Sequence, residues 1–219
     1  MANFVFNRIS LSGDANQIKA LKKHVKTKNS NFDFDKIVPM PTELAIEDSE
    51  FDAREYLEKY KNAPLRECIN ENLDQSIRYF LYEKECAGHQ MTLAHINNTI
   101  QMVHNYFKYG YTHWYDWKIN HWGTKWNTDD VSADGNNFGF NTAWNTPRLV
   151  LIELSKQYPA VEIIVEYADE DLGYNCGVYK ILNGIIDEDA FSGGADALQF
   201  ACNLWGFDYE EAKLMREQT

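Results

Sequence analysis

Val161-Glu162-Ile163-Ile164-Val165-Glu166-Tyr167 is the stretch on which the fold reading turns. Its β-branched residues and its near-alternation of apolar and acidic positions predict a strand. Immediately upstream, Pro147 opens a helix through Leu149, Ile152, Leu154 and Tyr158, and Pro159 closes it. Before that helix, Asn137-Phe138-Gly139-Phe140-Asn141-Thr142-Ala143-Trp144 reads as another strand. Downstream, residues 174–182 can pair back through an acidic turn at 169–173. The second half of the chain is therefore strand, helix, strand and an extra strand.

The first forty residues repeat the order. Residues 3–11 alternate, with Phe4, Phe6 and Arg8 on one side and Val5, Asn7, Ile9 and Leu11 on the other. Ser12-Gly13-Asp14 supplies turn and cap chemistry, and Ala15, Ile18, Leu21 and Val25 then fall at helical spacing. Residues 32–38 (Phe-Asp-Phe-Asp-Lys-Ile-Val) read as a second strand stopped by Pro39 and Pro41. Two β-α-β units in this order predict an α+β fold, a ferredoxin-like (split βαβ) antiparallel sheet with helices on one face.

Residues 42–127 interrupt it. They are poor in Gly, with helix candidates at 51–60, 64–85 and 91–108; Pro64 suits a first turn and Cys86-Ala87-Gly88 a stop. No Gly/Ser/Pro-rich linker flanks the region, so it reads as a large helical insertion after the second strand of a single domain, 1–219. The sheet and its helices then occupy 1–41 and 128–190. Residues 191–219 hold two short C-terminal helices, near 195–205 and 209–216, the first opened by Gly193-Gly194.

Composition narrows the function classes. With 44% hydrophobic and 25% charged residues over 219 positions, the chain is neither disordered nor a disulfide scaffold. The start of the sequence lacks the basic stretch, apolar run and small-residue site of a secretory signal, and no run approaches a membrane span of ~20 residues. Cys68, Cys86, Cys176 and Cys202 form no C-x-x-C pair, which suits reduced thiols in a cytoplasmic protein. Net charge is −12, with +4 in residues 1–40, −4 in 41–127 and −12 in 128–219. That distribution disfavours general nucleic-acid affinity and leaves room for a basic patch on the first helix, against the plainer reading of solvated faces of unequal sign.

The densest signal is His113-Trp114-Tyr115-Asp116-Trp117-Lys118-Ile119-Asn120-His121-Trp122-Gly123-Thr124-Lys125-Trp126-Asn127. Two readings stand: an aromatic platform for stacking a partner, or a clamp of core tryptophans. On a helix, Trp114, Trp117 and His121 share a face and are expected to be buried. Trp126 follows Gly123, where the helix should end, and is expected to be exposed beside Lys125 and Asn127. Candidate binding residues are Trp126, Lys125, Asn127, Trp122 and His121, with Phe138 and Phe140 on the third strand.

The pattern Phe34-Asp35-Lys36-Ile37-Val38-Pro39-Met40-Pro41, the Trp114–Asn127 motif, Thr142-Ala143-Trp144 before Pro147, and Tyr167-Ala168-Asp169-Glu170 with Gly173 together resemble the YubB-type ferredoxin-like proteins of phages and plasmids. The resemblance spans roughly residues 30–185. It implies a ferredoxin-like fold and a mobile-element origin, and it carries over no catalytic residues. More weakly, Phe138-Gly139-Phe140 with Val5-Phe6-Asn7 is similar to the ribonucleoprotein motifs of RNA-recognition folds. There the match departs where a basic residue, a following glycine and a final aromatic are expected, at Asn136, Asn137 and Ala143.

Chemistry-bearing motifs are thin. Cys86, His89 and His95 lack a fourth zinc ligand. The acidic runs 169–171 and 187–189 read as exposed turns. There is no phosphate-cradling loop, G-x-S-x-G elbow or H-E-x-x-H. The expected function is a cofactor-free, non-catalytic accessory protein in the host cytoplasm, docking a protein partner through an acidic and aromatic surface. The alternative is a single-stranded RNA binder using the sheet face, and the third reading is a hydrolytic enzyme.

Overall fold

The computed structural model describes residues 3–60, 69–190 and 195–217; Pro64, Cys68 and the Gly193-Gly194 pair lie outside them. Two compact units emerge: one of Met1–Pro39 with Lys118–Thr219, the other of Met40–Trp117. In chain order the elements are β1 (Phe4–Gly13), α1 (Ala15–His24), α2 (Phe51–Tyr60), α3 (Ile69–Cys86), α4 (Leu93–Tyr109), α5 (Trp114–Trp122), β2 (Asp129–Asp134), β3 (Asn137–Ala143), α6 (Arg148–Gln157), β4 (Val161–Asp169), β5 (Cys176–Leu182), β6 (Ile185–Ala190), α7 (Ala195–Trp205) and α8 (Tyr209–Glu217).

The strands form one sheet in the order β2-β3-β1-β4-β5-β6, every neighbouring pair antiparallel. With α1 after β1 and α6 between β3 and β4, the first four strands make the split βαβ of a ferredoxin-like fold. Hairpins add β5 and β6. Alternation along β4 is as read from sequence: Val161, Ile163 and Val165 are fully buried, with Glu162, Ile164 and Glu166 between them only partly covered. Cross-strand pairs share a face, so Ile9 joins Val165, and Ile163 joins Ile181. Asp14 starts α1 by accepting a hydrogen bond from Gln17 N (2.8 Å), and the helix buries Ile18 and Leu21.

Four expectations need correction. Residues 32–38 are not a strand. Asp33 Oδ1 accepts from Asp35 N and starts a single 3-10 turn, Phe34–Lys36, which sends both Phe32 and Phe34 into the core. The second strand of the split βαβ is β2, so the helical insertion precedes that strand and does not follow it. Residues 187–189 lie in the edge strand β6, not in an acidic turn. Helices also cover both faces: Phe6, Ala168 and Cys176 lie opposite one another on the face away from Ile9 and Val165, and α7 packs there through Ala197, Ala201 and Leu204.

In the second unit α2, α3 and α4 bury a common apolar core. Ala53, Tyr56 and Leu57 meet Ile77, Phe80 and Leu81, and Ile100, Met102 and Val103 from α4 complete it. Thr92 caps α4 by accepting from His95 N (3.1 Å), and Gly110 ends it in the left-handed region.

Candidate functional site

The tryptophan-rich segment is laid down by alternate anchors. Gly123 terminates α5 at φ +83°, its N–H bonded to Ile119 O (3.1 Å), and a Cβ there would press on Arg148 N and Leu149 N at 3.4 Å. That left-handed backbone favours glycine. Trp122 is fully buried; its Nε1 donates to Val38 O (2.9 Å) and its ring meets Phe34 edge-on at 5.7 Å. Thr124, also fully buried, donates to Ala143 O (2.8 Å) and ties the segment to the end of β3. Asn127 accepts from Phe34 N (2.9 Å) and donates to Asp33 Oδ1 (2.7 Å). These anchors hold the two residues between them, Lys125 and Trp126, toward solvent.

Lys125 Nζ stands 4.6 Å from the ring centroid of Trp126 and 4.9 Å from that of Trp144. The two indoles are 39% and 37% exposed, so a cation between two rings forms an open platform. Trp144 sits at φ +68°, a conformation that β-branched and bulky residues rarely adopt. Hydrogen bonds on both sides impose it: Trp144 N donates to Asn3 O (2.9 Å), and Trp144 O accepts from Asn175 Nδ2 (3.0 Å). Beside the platform opens a cleft of about 380 Å³ lined by Gly123, Asn145, Thr146, Arg148, Leu149, Tyr167 and Asn175. Arg148 lies over the Tyr179 ring (4.8 Å) and donates to Tyr167 OH (3.2 Å).

The candidate residues thus separate. Trp126 and Lys125 stand at the surface. Trp122 and Asn127 do not; both are anchors, spent on Val38, Phe34 and Asp33. His121 is half-buried, Trp117 is buried and Trp114 is partly covered. Phe138 and Phe140 are core residues, packed on Phe32 with ring centroids at 5.1 Å in each case. Stacking a base needs an exposed ring, and these two point into the hydrophobic interior. The face with Arg8 and Glu166, joined by a bidentate ion pair at 2.8 Å, carries neither of them.

Sequence reasoning missed Trp144 as a site residue; its place directly after a strand and before Thr146-Pro147 was the available signal. It also missed the polar network of the helical unit. His95 Nε2 lies 2.8 Å from Asp52 Oδ2 and its Nδ1 lies 3.2 Å from Asp48 Oδ2, while Lys84 pairs with Asp52 and Glu55. The Asp52 hydrogen bond leads in raising His95 above its ordinary value; burial opposes it and Asp48 adds to it. Burial pushes Asp52 up, but Lys84 and His95 outweigh it and hold the carboxyl below its usual range. The imagined zinc ligands do not converge: His95 is engaged by carboxylates, Cys86 is exposed, and no group of three or more His, Cys, Asp or Glu is placed to hold a metal among the described residues. Asp169, read as part of an exposed turn, is buried and organises that turn by accepting from Asp171 N (2.9 Å) and Asn175 Nδ2 (3.2 Å).

No curated protein matches the chain. A crystal structure of a protein api92 from Yersinia pseudotuberculosis is similar with a TM-score of 0.44 and 11% identity, over 89% of this chain and 99% of that one. Residues 121–212, which run from the end of α5 into α8, match the family model described as the ferredoxin-like domain in Api92-like protein, and the sheet carrying the Trp126–Lys125–Trp144 platform is accordingly ferredoxin-like.

Proposed function

We propose that the protein is a non-catalytic binding module that docks a protein partner through the Trp126–Lys125–Trp144 platform. The observation that carries this is a pair of partly exposed indoles with an ammonium between them, on a base fixed by Trp122, Thr124 and Asn127. Rigid aromatic anchors flanked by a cation are the side chains that dominate protein interfaces. The net charge of −12 supports a protein partner over nucleic acid, because phosphate neutralisation needs an excess of cations and residues 128–219 carry an excess of acids. Burial of Phe138 and Phe140 counts against the RNA reading, which used both as stacking rings.

The same proposal places the protein with phage or plasmid accessory proteins acting in the host cytoplasm. The shared Trp114–Asn127 and Phe34–Pro41 motifs support the origin. Among the described residues no helix is long and apolar enough to cross a membrane. The test is capture of partners from host lysate by the tagged chain, with and without nuclease. Protein capture that survives nuclease supports the reading. Capture abolished by nuclease, or micromolar retardation of generic nucleic acid at ~150 mM salt, overturns it.

A further inference from the structure

A second surface of the sheet unit has its own chemistry. Helices α7 and α8 and the turn between β4 and β5 line an open cleft of about 620 Å³. Leu198 forms its buried floor, and Phe207 and Met215, 54% and 62% exposed, stand at its sides. Along α8 the residues lining it fall at i, i+3, i+4 and i+7 from its cap: Asp208, Glu211, Ala212 and Met215. One helix face therefore offers two apolar and two acidic groups to the cleft. Glu170 and Asp171 add carboxylates from the turn, and Arg216 is the cation of the lining, its guanidinium 4.5 Å from the Tyr174 ring.

Charge complementarity names the occupant. An acidic rim repels an acidic segment, and the same face of a second copy would bring the same carboxylates. We propose that this cleft docks a basic amphipathic helix of a partner protein, apolar side chains inserted beside Leu198 and Met215 and Lys or Arg side chains against Glu170, Asp171 and Glu211. The proposal goes beyond the tryptophan platform and shares no residue with it.

The test uses the full chain and two labelled 18-residue peptides of one Leu pattern, with Lys or Glu at the flanking positions, read by fluorescence anisotropy. The Lys peptide should bind at micromolar Kd, about ten-fold more weakly at ~300 mM than at ~50 mM salt, and the Glu peptide at least about ten-fold more weakly than the Lys peptide. Met215→Glu and Glu211→Lys should each lower Lys-peptide affinity by about ten-fold or more. Asp208 is left intact because its Oδ1 caps α8 through Glu211 N (2.9 Å). Glu211→Gln, the mildest change at an exposed position, should lose a smaller part and guards against misfolding of the charge reversal. Trp126→Ala should bind the Lys peptide as the parent does, which separates this cleft from the platform. Equal affinity for both peptides, or binding indifferent to all three cleft variants, overturns the proposal. So does self-association abolished by Met215→Glu, which would assign the cleft to a second copy.

Discussion

Replacing Trp122 by Ala should be among the costliest single changes in the sheet unit. Its side chain is fully buried against Phe34 and its Nε1 donates a hydrogen bond to Val38 O. Deleting a large buried aromatic costs ~3–5 kcal/mol, and losing the hydrogen bond to the partly buried Val38 carbonyl adds ~1 kcal/mol. A loss of about 4–6 kcal/mol is a large part of the about 5–15 kcal/mol that is typical of whole domains. At a urea slope of about 2–3 kcal/mol per M, the midpoint followed by circular dichroism should fall by about 2 M. Trp126→Ala, four residues on and 39% exposed, should cost under about 1 kcal/mol and move the midpoint by less than about 0.5 M. If Trp126→Ala proves the more destabilising of the two, the platform is scaffolding and the alternation of anchors and exposed rings is wrong.

At Trp144 the usual order of Ala and Gly should invert: with φ at +68°, Trp144→Gly should be about 1 kcal/mol more stable than Trp144→Ala by urea denaturation, and Ala at or above Gly would show that no left-handed strain is stored there. His95, raised above 6.5, contributes stability that is complete below that value and is lost as pH rises through its folded pKa. Asp48 and Asp52, both lowered, contribute above about 3.8 and lose it as pH falls, so the helical unit should be most stable in mildly acidic solution. Its thermal midpoint should decline above about pH 6.5, and His95→Gln should flatten that decline; a midpoint rising through this window would reverse the assigned sign. Native alkylation mapped by mass spectrometry should modify exposed Cys86 well before Cys176 and Cys202, whose burial pushes both thiols up; equal labelling would contradict the burial of Cys176 on β5 and of Cys202 on α7.

Much of the sheet was legible because its central strands carry conflict-free signals. In β4 the β-branched residues, the alternation and the flanking Pro159 agree with one another, and β1, β3 and β5 are bounded by Gly, Asn and Asp. The edges were not legible from propensity. Asp-Asp-Val-Ser-Ala-Asp in β2 and the acidic run in β6 are poor strand formers, suited to edges that must not pair with other chains. What sets them is turn chemistry. Asn183 and Gly184 both take positive φ in a two-residue hairpin from Leu182 to Ile185, and Gly135-Asn136 closes Asp134 on Asn137. Both dipeptides stood in the sequence as hairpin signals. Residues 32–38 failed for the opposite reason, since Phe32 and Phe34 at spacing two imitate a strand while Asp33 diverts the backbone into a 3-10 turn. For the platform, sequence gave position and chemistry for Trp126 and Lys125, but Trp144 comes from the end of β3, brought in by the fold.

The most direct measurement combines capture and stability on one preparation of the Trp126→Ala/Trp144→Gly double variant. Binding of nuclease-resistant protein partners from lysate should fall at least about ten-fold, as for loss of interface aromatics, while the urea midpoint stays within about 1 M of the parent. Undiminished capture by a folded double variant would contradict docking through the platform.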